Sequence, residues 1–361
     1  FPRLDAEILA MRDTRILPGE VEIEFERDGQ LHSIKDKPEI TVYGAGALRW
    51  DTVARAGAFI TSTDPSVAAF ARPPLVAFEQ KTASLGKPGR NLLQAMLLFE
   101  ALKAHGVRYL ADSNTPYTQV SADREIVDHI QYPAQTLQSK AGDCDDLTVL
   151  YASLLENAGI ATALVDYPGH IFLLFDTGIG RQESYKLPLE DKRYVVYGDR
   201  LWIPVEVTRV DRSFEAAWQA GLAELAKLPA LEWRERVVTT AEAWQDYPAT
   251  SPGFPDRTSP PTAANMQESF AAYYDRLSAL IDDYIDETYL DPIKAAPEDN
   301  TLRTRLLKVY LALHQVDEAL RQAGIYLLDE RGDKATTYNH MGNAYVMKGD
   351  LVQAALQYKQ A

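Results

Sequence analysis

The chain of 361 residues holds a single cysteine, Cys144. One thiol excludes an intrachain disulfide and leaves the redox compartment open. No pair of Cys or His residues stands at metal-ligand spacing, so zinc is not expected, and no glycine loop of the phosphate-cradling kind occurs. Apolar runs of membrane length are missing too, so no segment is expected to span a bilayer. Positive charge is short: 37 Lys and Arg stand against 52 Asp and Glu, a net charge of −15. A nucleic-acid binder needs a basic face that displaces counterions, so nucleic acid is not an expected partner.

What is present suits a globular protein of two or three domains. The pattern predicts an α+β fold. Residues 3–11 form a short amphipathic helix in this reading, and 21–43 alternate apolar and polar residues around the turn "ERDGQ", as a β-hairpin does. Thr63 or Asp64 caps a helix that has Pro65 in its first turn. Residues 87–106 carry a third helix, "VRYLADSNTPYTQV" a strand running into a loop, and 144–158 a fourth helix. Strand-like runs follow at "IATALVDY", "HIFLLFD" and "RYVVYGDRLWIPVEV", the last turning at Gly198-Asp199. Residues 213–245 read as helix again. The stretch 246–265 carries five prolines and reads as a linker or an extended strap, and a helix near 266–287 follows it. This divides the chain into a β-rich accessory region (1–80), a core (81–245), the Pro-rich segment (246–265) and a helical region (266–361).

The lone cysteine sits in "GDCDD", residues 142–146. Asp143 fits the N-cap of a helix, Cys144 its first residue and Asp146 the capping-box acid. The positive end of the helix favours the thiolate, and the neighbouring carboxylates oppose it. A nucleophile there needs a cation, and histidine is the usual one. Of His32, His105, His129, His170, His314 and His340, His170 opens an apolar strand after "DYPG". A strand packed on the cysteine helix would bring it to the helix start. Glu206, on the next long strand, is framed by apolar residues and fits as the acid that orients the ring. Asp176 is excluded by its distance of about 20 Å along an extended strand. Asp199 is excluded by its place in a turn. For an oxyanion the Cys144 N–H is one donor, and Gln131, Tyr132 and Gln135 are candidates for the second.

These segments, "GDCDDLTVLYASLLENAGIATALV", "PGHIFLLFD" and "LWIPVEVT", resemble the transglutaminase-like superfamily over residues 87–210. The resemblance implies a papain-like core in which Cys144 is the nucleophile, His170 the general base and acid, and Glu206 the third member, spaced by 26 and 36 residues. The family usually has Asp at that third place and often "HAW" where this chain has "HIF". It implies acyl transfer from a peptide or carboxamide with no required cofactor, most simply as a protease or amidase, on a protein or peptide substrate. "GDCDD" is also similar to bacterial members that clip adhesins in the periplasm. There acids beside the cysteine take part in binding calcium, which implies Ca²⁺ at Asp143 and Asp145 and a periplasmic or cell-envelope location, with the cytoplasm still open.

The C-terminal stretch is self-similar. Tyr310 and Tyr345 lie 35 residues apart, as do Ala319 and Ala354. With Tyr338, Met341, Gly342, Tyr358 and Ala361, these positions resemble tetratricopeptide repeats (TPR), all-α helical hairpins whose concave groove binds a protein partner. Two units are few for such an array, so further repeats are expected beyond Ala361, and the start at Phe1 reads as a fragment or processed form. The alternative to an enzyme is an inactive transglutaminase-like scaffold whose repeats bind the partner.

Overall fold

The structure, a computed structural model, describes residues 11, 13–83, 86–112, 119, 123, 126–167, 169–229, 232–253, 258–297, 300–328 and 333–361. The helix expected over 3–11 falls almost wholly outside them. Strands β1 (Arg15–Pro18), β2 (Val21–Arg27), β3 (Gln30–Asp36) and β4 (Glu39–Val42) form two antiparallel ladders, β2–β3 and β1–β4. Asp28 and Gly29 both take positive φ, 54° and 77°, which is the conformation a tight Asp-Gly hairpin needs. Strand β5 (Ala47–Arg49) then leads into helix α1 (Pro65–Ala77). Asp64 caps α1 by accepting the Ser66 N–H at 2.8 Å, with Pro65 in the first turn.

Helix α2 (Gly86–His105) is followed by β6 (Arg108–Tyr109), β7 (Val127–His129), helix α3 (Pro133–Ser139), β8 (Ala141–Gly142) and helix α4 (Cys144–Asn157). Every residue of α4 from Cys144 to Leu155 is buried. A helix that is apolar nearly all round can be buried on every side, and α4 is enclosed by α1, α2, α3 and the sheet. Two of its buried hydroxyls donate to backbone carbonyls: Tyr151 to Ala95 O on α2 at 2.7 Å and Ser153 to Val149 O at 2.7 Å.

The main sheet is antiparallel. It contains β9 (Thr162–Tyr167), β10 (His170–Gly180), β11 (Val195–Tyr197), β12 (Arg200–Val205) and β13 (Val237–Thr239), in the order β11-β12-β10-β9-β13. Alternation splits its side chains. Ile171, Leu173, Phe175, Leu201, Ile203 and Val205 join the core that contains α4, while Phe172, Leu174 and Trp202 join a second cluster with Leu225, Trp233 and Val237. The architecture is therefore α+β, with no βαβ crossover within this sheet.

Residues 213–245 are not continuous helix. Helix α5 (Phe214–Ala226) is followed by β13, which pairs Val237 with Val165, and then by helix α6 (Thr240–Asp246). The β-branched run Val237-Val238-Thr239 suits the free edge of β9. Asp176 holds Arg200 at 2.6 Å and Asp199 sits at positive φ beside Gly198, so both have structural duties. Past α6 the described part of the Pro-rich segment lies along the core as a strap. Thr250 N–H donates to Ala58 O at 2.9 Å, and the Ser251 hydroxyl donates to Asp64 at 2.6 Å.

The remainder is helical: α7 (Ala263–Ile285), α8 (Asn300–Ala312), α9 (Val316–Leu327), α10 (Lys334–Met347) and α11 (Leu351–Gln360). Each of α8 to α11 packs on the next. Gly342 lies against the Tyr358 ring so closely that a Cβ would collide with it, and Tyr310, Ala319 and Ala354 are buried. Among the described residues no helix is long and apolar enough to cross a membrane.

Candidate functional site

Asp143 is the N-cap of α4, and the capping box closes as the sequence implies. Asp143 Oδ1 accepts the Asp146 N–H, and Asp146 Oδ2 accepts the Asp143 N–H, both at 3.3 Å. The preceding glycine is needed for close approach: a Cβ on residue 142 would lie 2.6 Å from the Asp146 Cβ. This leaves Cys144 as the first residue of the helix, buried, its N–H among the donors with no acceptor inside the helix.

Strand β10 packs against α4, and the Ile171 backbone N–H favours the Cys144 thiolate. His170 is the residue before it. Its side chain lies with that of Phe172, ring centroids 6.1 Å apart, and its Nε2 hydrogen-bonds Glu206 Oε2. Glu206 follows β12 directly and is buried at 4 % exposure. Its other oxygen accepts from the Thr208 N–H at 3.1 Å and from the Thr208 hydroxyl at 2.5 Å. With Nε2 engaged, Nδ1 is the ring nitrogen left for a proton from a nucleophile. No hydrogen bond joins the Cys144 thiol to the His170 ring; such bonds are often long in a free enzyme and tighten on the substrate.

The electrostatics around the thiol oppose its ionisation. Burial pushes the Cys144 thiol well above its ordinary value, and Asp145, Asp143 and Glu206 push the same way. The helix end and the Ile171 N–H act the other way, toward the thiolate.

The three oxyanion candidates hold the segment before α4. Gln131 Nε2 donates to Asp146 Oδ2 at 2.6 Å and to Ala141 O at 3.3 Å, so both amide protons are committed. The Tyr132 hydroxyl donates to Ala45 O at 3.2 Å, and Gln135 Oε1 accepts the Tyr132 N–H at 2.8 Å. Tyr109 was not visible as a site residue in the sequence. β6 pairs with β8 in parallel, Tyr109 opposite Gly142. Cys144, Asp143, Glu206 and Asp145 all raise the pKa of the Tyr109 phenol, after burial, which puts that hydroxyl within their electrostatic reach. Among the described residues it has no hydrogen-bond partner. "VRYL" carries no signal beyond a short strand, because only the pairing with β8 brings it to the site.

Asp143, Asp145 and Asp146 form one buried cluster, with carboxylate oxygens within 4.8 Å of one another. Asp145 is 1 % exposed, and its Oδ2 is buried with no partner. Burial raises the Asp145 carboxyl well above its ordinary range, helped by Asp143, Asp146 and Asp128. Asp146 is pushed up to about 7 by burial and by Asp143. The resemblance implies calcium at Asp143 and Asp145; Asp146, the capping-box acid, joins them, and Asp128, which accepts from Trp50 Nε1 at 2.7 Å, acts on Asp145 as a further charge.

Two cavities flank the Cys144 segment. One, of about 370 Å³, is lined by residues that include Leu110, Asp112, His129, Asp143 and Asp146. The other, of about 580 Å³, is lined by Lys103, Arg108, Tyr109, Thr208, Arg209 and Asp211 together with Gly106 and Val107. Compared with family models, curated proteins and solved structures, the chain matches none.

Proposed function

We propose that this chain is a cysteine acyltransferase of the transglutaminase-like kind, working most simply as a peptidase or amidase. The observation that carries the reading is the joining of His170 to Glu206 beside the N-terminus of the helix that begins with Cys144. In this mechanism His170 Nδ1 takes the Cys144 proton as sulfur attacks the carbonyl carbon, while Glu206 holds the ring through Nε2–H. The Cys144 N–H and the Tyr109 hydroxyl offer donors to the tetrahedral oxyanion. Collapse breaks the C–N bond, His170 returns the proton to the leaving amine, and a thioester remains. Water or a second amine then releases the acyl group.

Because burial and the nearby carboxylates oppose ionisation of the thiol, proton transfer to His170 accompanies attack rather than preceding it. The unpartnered Asp145 Oδ2 fits a hard cation, and Asp143, Asp145 and Asp146 are the residues that would hold Ca²⁺. Bound there, the ion would neutralise carboxylate charge beside the thiol. The close crossing at Gly342 supports reading α8 to α11 as TPR-like hairpins that present a protein substrate or partner.

A second reading, an inactive scaffold that only binds the partner, is favoured by the buried thiol with carboxylates around it. Incubation with casein and glutamine-containing peptides, followed by intact-mass analysis, separates the two. The enzyme reading expects a thioester adduct on Cys144 and cleaved or deamidated product. Absence of both, with the Cys144→Ala protein still binding the partner, supports the scaffold.

A further inference from the structure

We propose that the basic cavity beside Tyr109 binds a carboxylate of the substrate, so that the peptides accepted are acidic next to the reacting carbonyl. This rests on the acyl-transfer reading and adds a substrate class to it.

The cavity adjoins the site through two of its lining residues, Tyr109 and Thr208. Tyr109 lies within electrostatic reach of the thiol, and Thr208 donates two hydrogen bonds to Glu206. Three cations line it, Lys103, Arg108 and Arg209, against the single carboxylate of Asp211. That carboxylate already has a partner in Arg212, at 3.4 Å. Lys103 lies 4.0 Å from Glu100, at the limit of an ion pair. Among the described residues Arg108 and Arg209 have no carboxylate in ion-pair distance. Acids outnumber bases in this chain, 52 to 37, so two arginines without acidic partners, facing one concavity beside the candidate nucleophile, are against the general trend.

The backbone fixes both arginines relative to the site. Arg108 is paired opposite Ala141, three residues before Cys144. Arg209 closes the 3₁₀ turn that Glu206 caps, its N–H donating to Glu206 O at 3.1 Å. Guanidinium groups suit carboxylates through paired N–H donors. A side-chain carboxylate of Asp or Glu and a free C-terminal carboxylate offer the same chemistry, and the test separates them.

Iodoacetate and iodoacetamide are close in size and differ by one charge, so the ratio of their alkylation rates at Cys144 reports the local field while cancelling changes in thiol reactivity common to both. In the Arg108→Gln/Arg209→Gln protein that ratio should fall about tenfold relative to the parent. The Arg108→Lys/Arg209→Lys protein should keep most of it, and salt should weaken it. In competition, N-acetyl-Ala-Asp-Ala-amide protects Cys144 better than N-acetyl-Ala-Asn-Ala-amide if the side-chain carboxylate is taken. N-acetyl-Ala-Ala-Ala protects best if it is the terminal one.

A ratio unchanged by removing both arginines overturns the proposal. If neither reagent reaches Cys144, the nucleophile reading fails separately, and the cavity is then judged by phenylglyoxal labelling of Arg108 and Arg209. Slower labelling with either carboxylate peptide than with the Asn peptide upholds the carboxylate site, and equal rates with all three overturn it.

Discussion

His170 and Glu206 are hydrogen-bonded across neighbouring antiparallel strands, although 36 residues separate them in the chain. Their meeting follows from register. Leu173 pairs with Val205, so the start of β10 and the residue just past the end of β12 come to the same end of the sheet. The Glu206 carboxylate is further fixed by Thr208, leaving the imidazole one orientation in which Nε2 is engaged.

In the proposed mechanism Glu206 is a positioning residue. Replacing it by Gln keeps the size but removes the charge that stabilises an imidazolium. We expect kcat on any accepted peptide to fall by about 10²–10⁴-fold, the range seen for loss of general acid–base function. Glu206→Asp, one methylene shorter, should retain part of the rate. Equal kcat in parent and Glu206→Gln would remove Glu206 from the account.

The acidic cluster predicts a stability response to calcium. Ca²⁺ at a hundredfold excess over its dissociation constant should stabilise the fold by roughly 3 kcal/mol. Asp145→Asn removes the unpartnered buried oxygen's charge and should abolish the response, while raising the melting temperature of the metal-free protein above pH 7 by relieving carboxylate repulsion. Thermal melts with Ca²⁺ and with EDTA check both. A Ca²⁺-independent melting temperature in the parent would exclude the ion.

Glu100 predicts a pH dependence. It is 2 % exposed on α2, its Oε1 is buried without a partner, and burial raises its carboxyl above the usual range, only partly offset by Lys103. A raised folded value means that its contribution is complete below the ordinary glutamate pKa and is lost as pH rises through the folded one. In Glu100→Gln that slope is gone. The melting temperature of the variant minus that of the parent should therefore increase from pH 5 to pH 8. A constant difference would show that Glu100 does not carry the effect.

Much of this was legible in the sequence for local reasons. A cap, a first-turn cysteine and an apolar helix leave adjacent marks in "GDCDDLTVLYASLL", and the Asp-Gly hairpin turn is equally local. His170 and Glu206 were legible because each adjoins an apolar strand. Tyr109 was not, since a two-residue strand has no period and the parallel pairing to Gly142 spans 33 residues of chain. Nor was β13 visible between two helices, for three β-branched residues declare a strand only where an open edge receives them. Gln131 also serves Asp146, Gln135 Oε1 accepts the Tyr132 N–H and the Tyr132 hydroxyl donates to Ala45 O, duties the sequence does not show. The thiol's electrostatics depend on burial, which spacing alone does not reveal.

The central claim, that Cys144 and His170 act as a pair, is tested most directly by the rate of iodoacetamide alkylation at Cys144, measured across pH in the parent and in His170→Ala. The account predicts alkylation near pH 7 that exceeds what a buried, carboxylate-flanked thiol would give alone, and a fall of at least about tenfold in the variant. Slow alkylation that rises only at high pH and is the same in both proteins would contradict it.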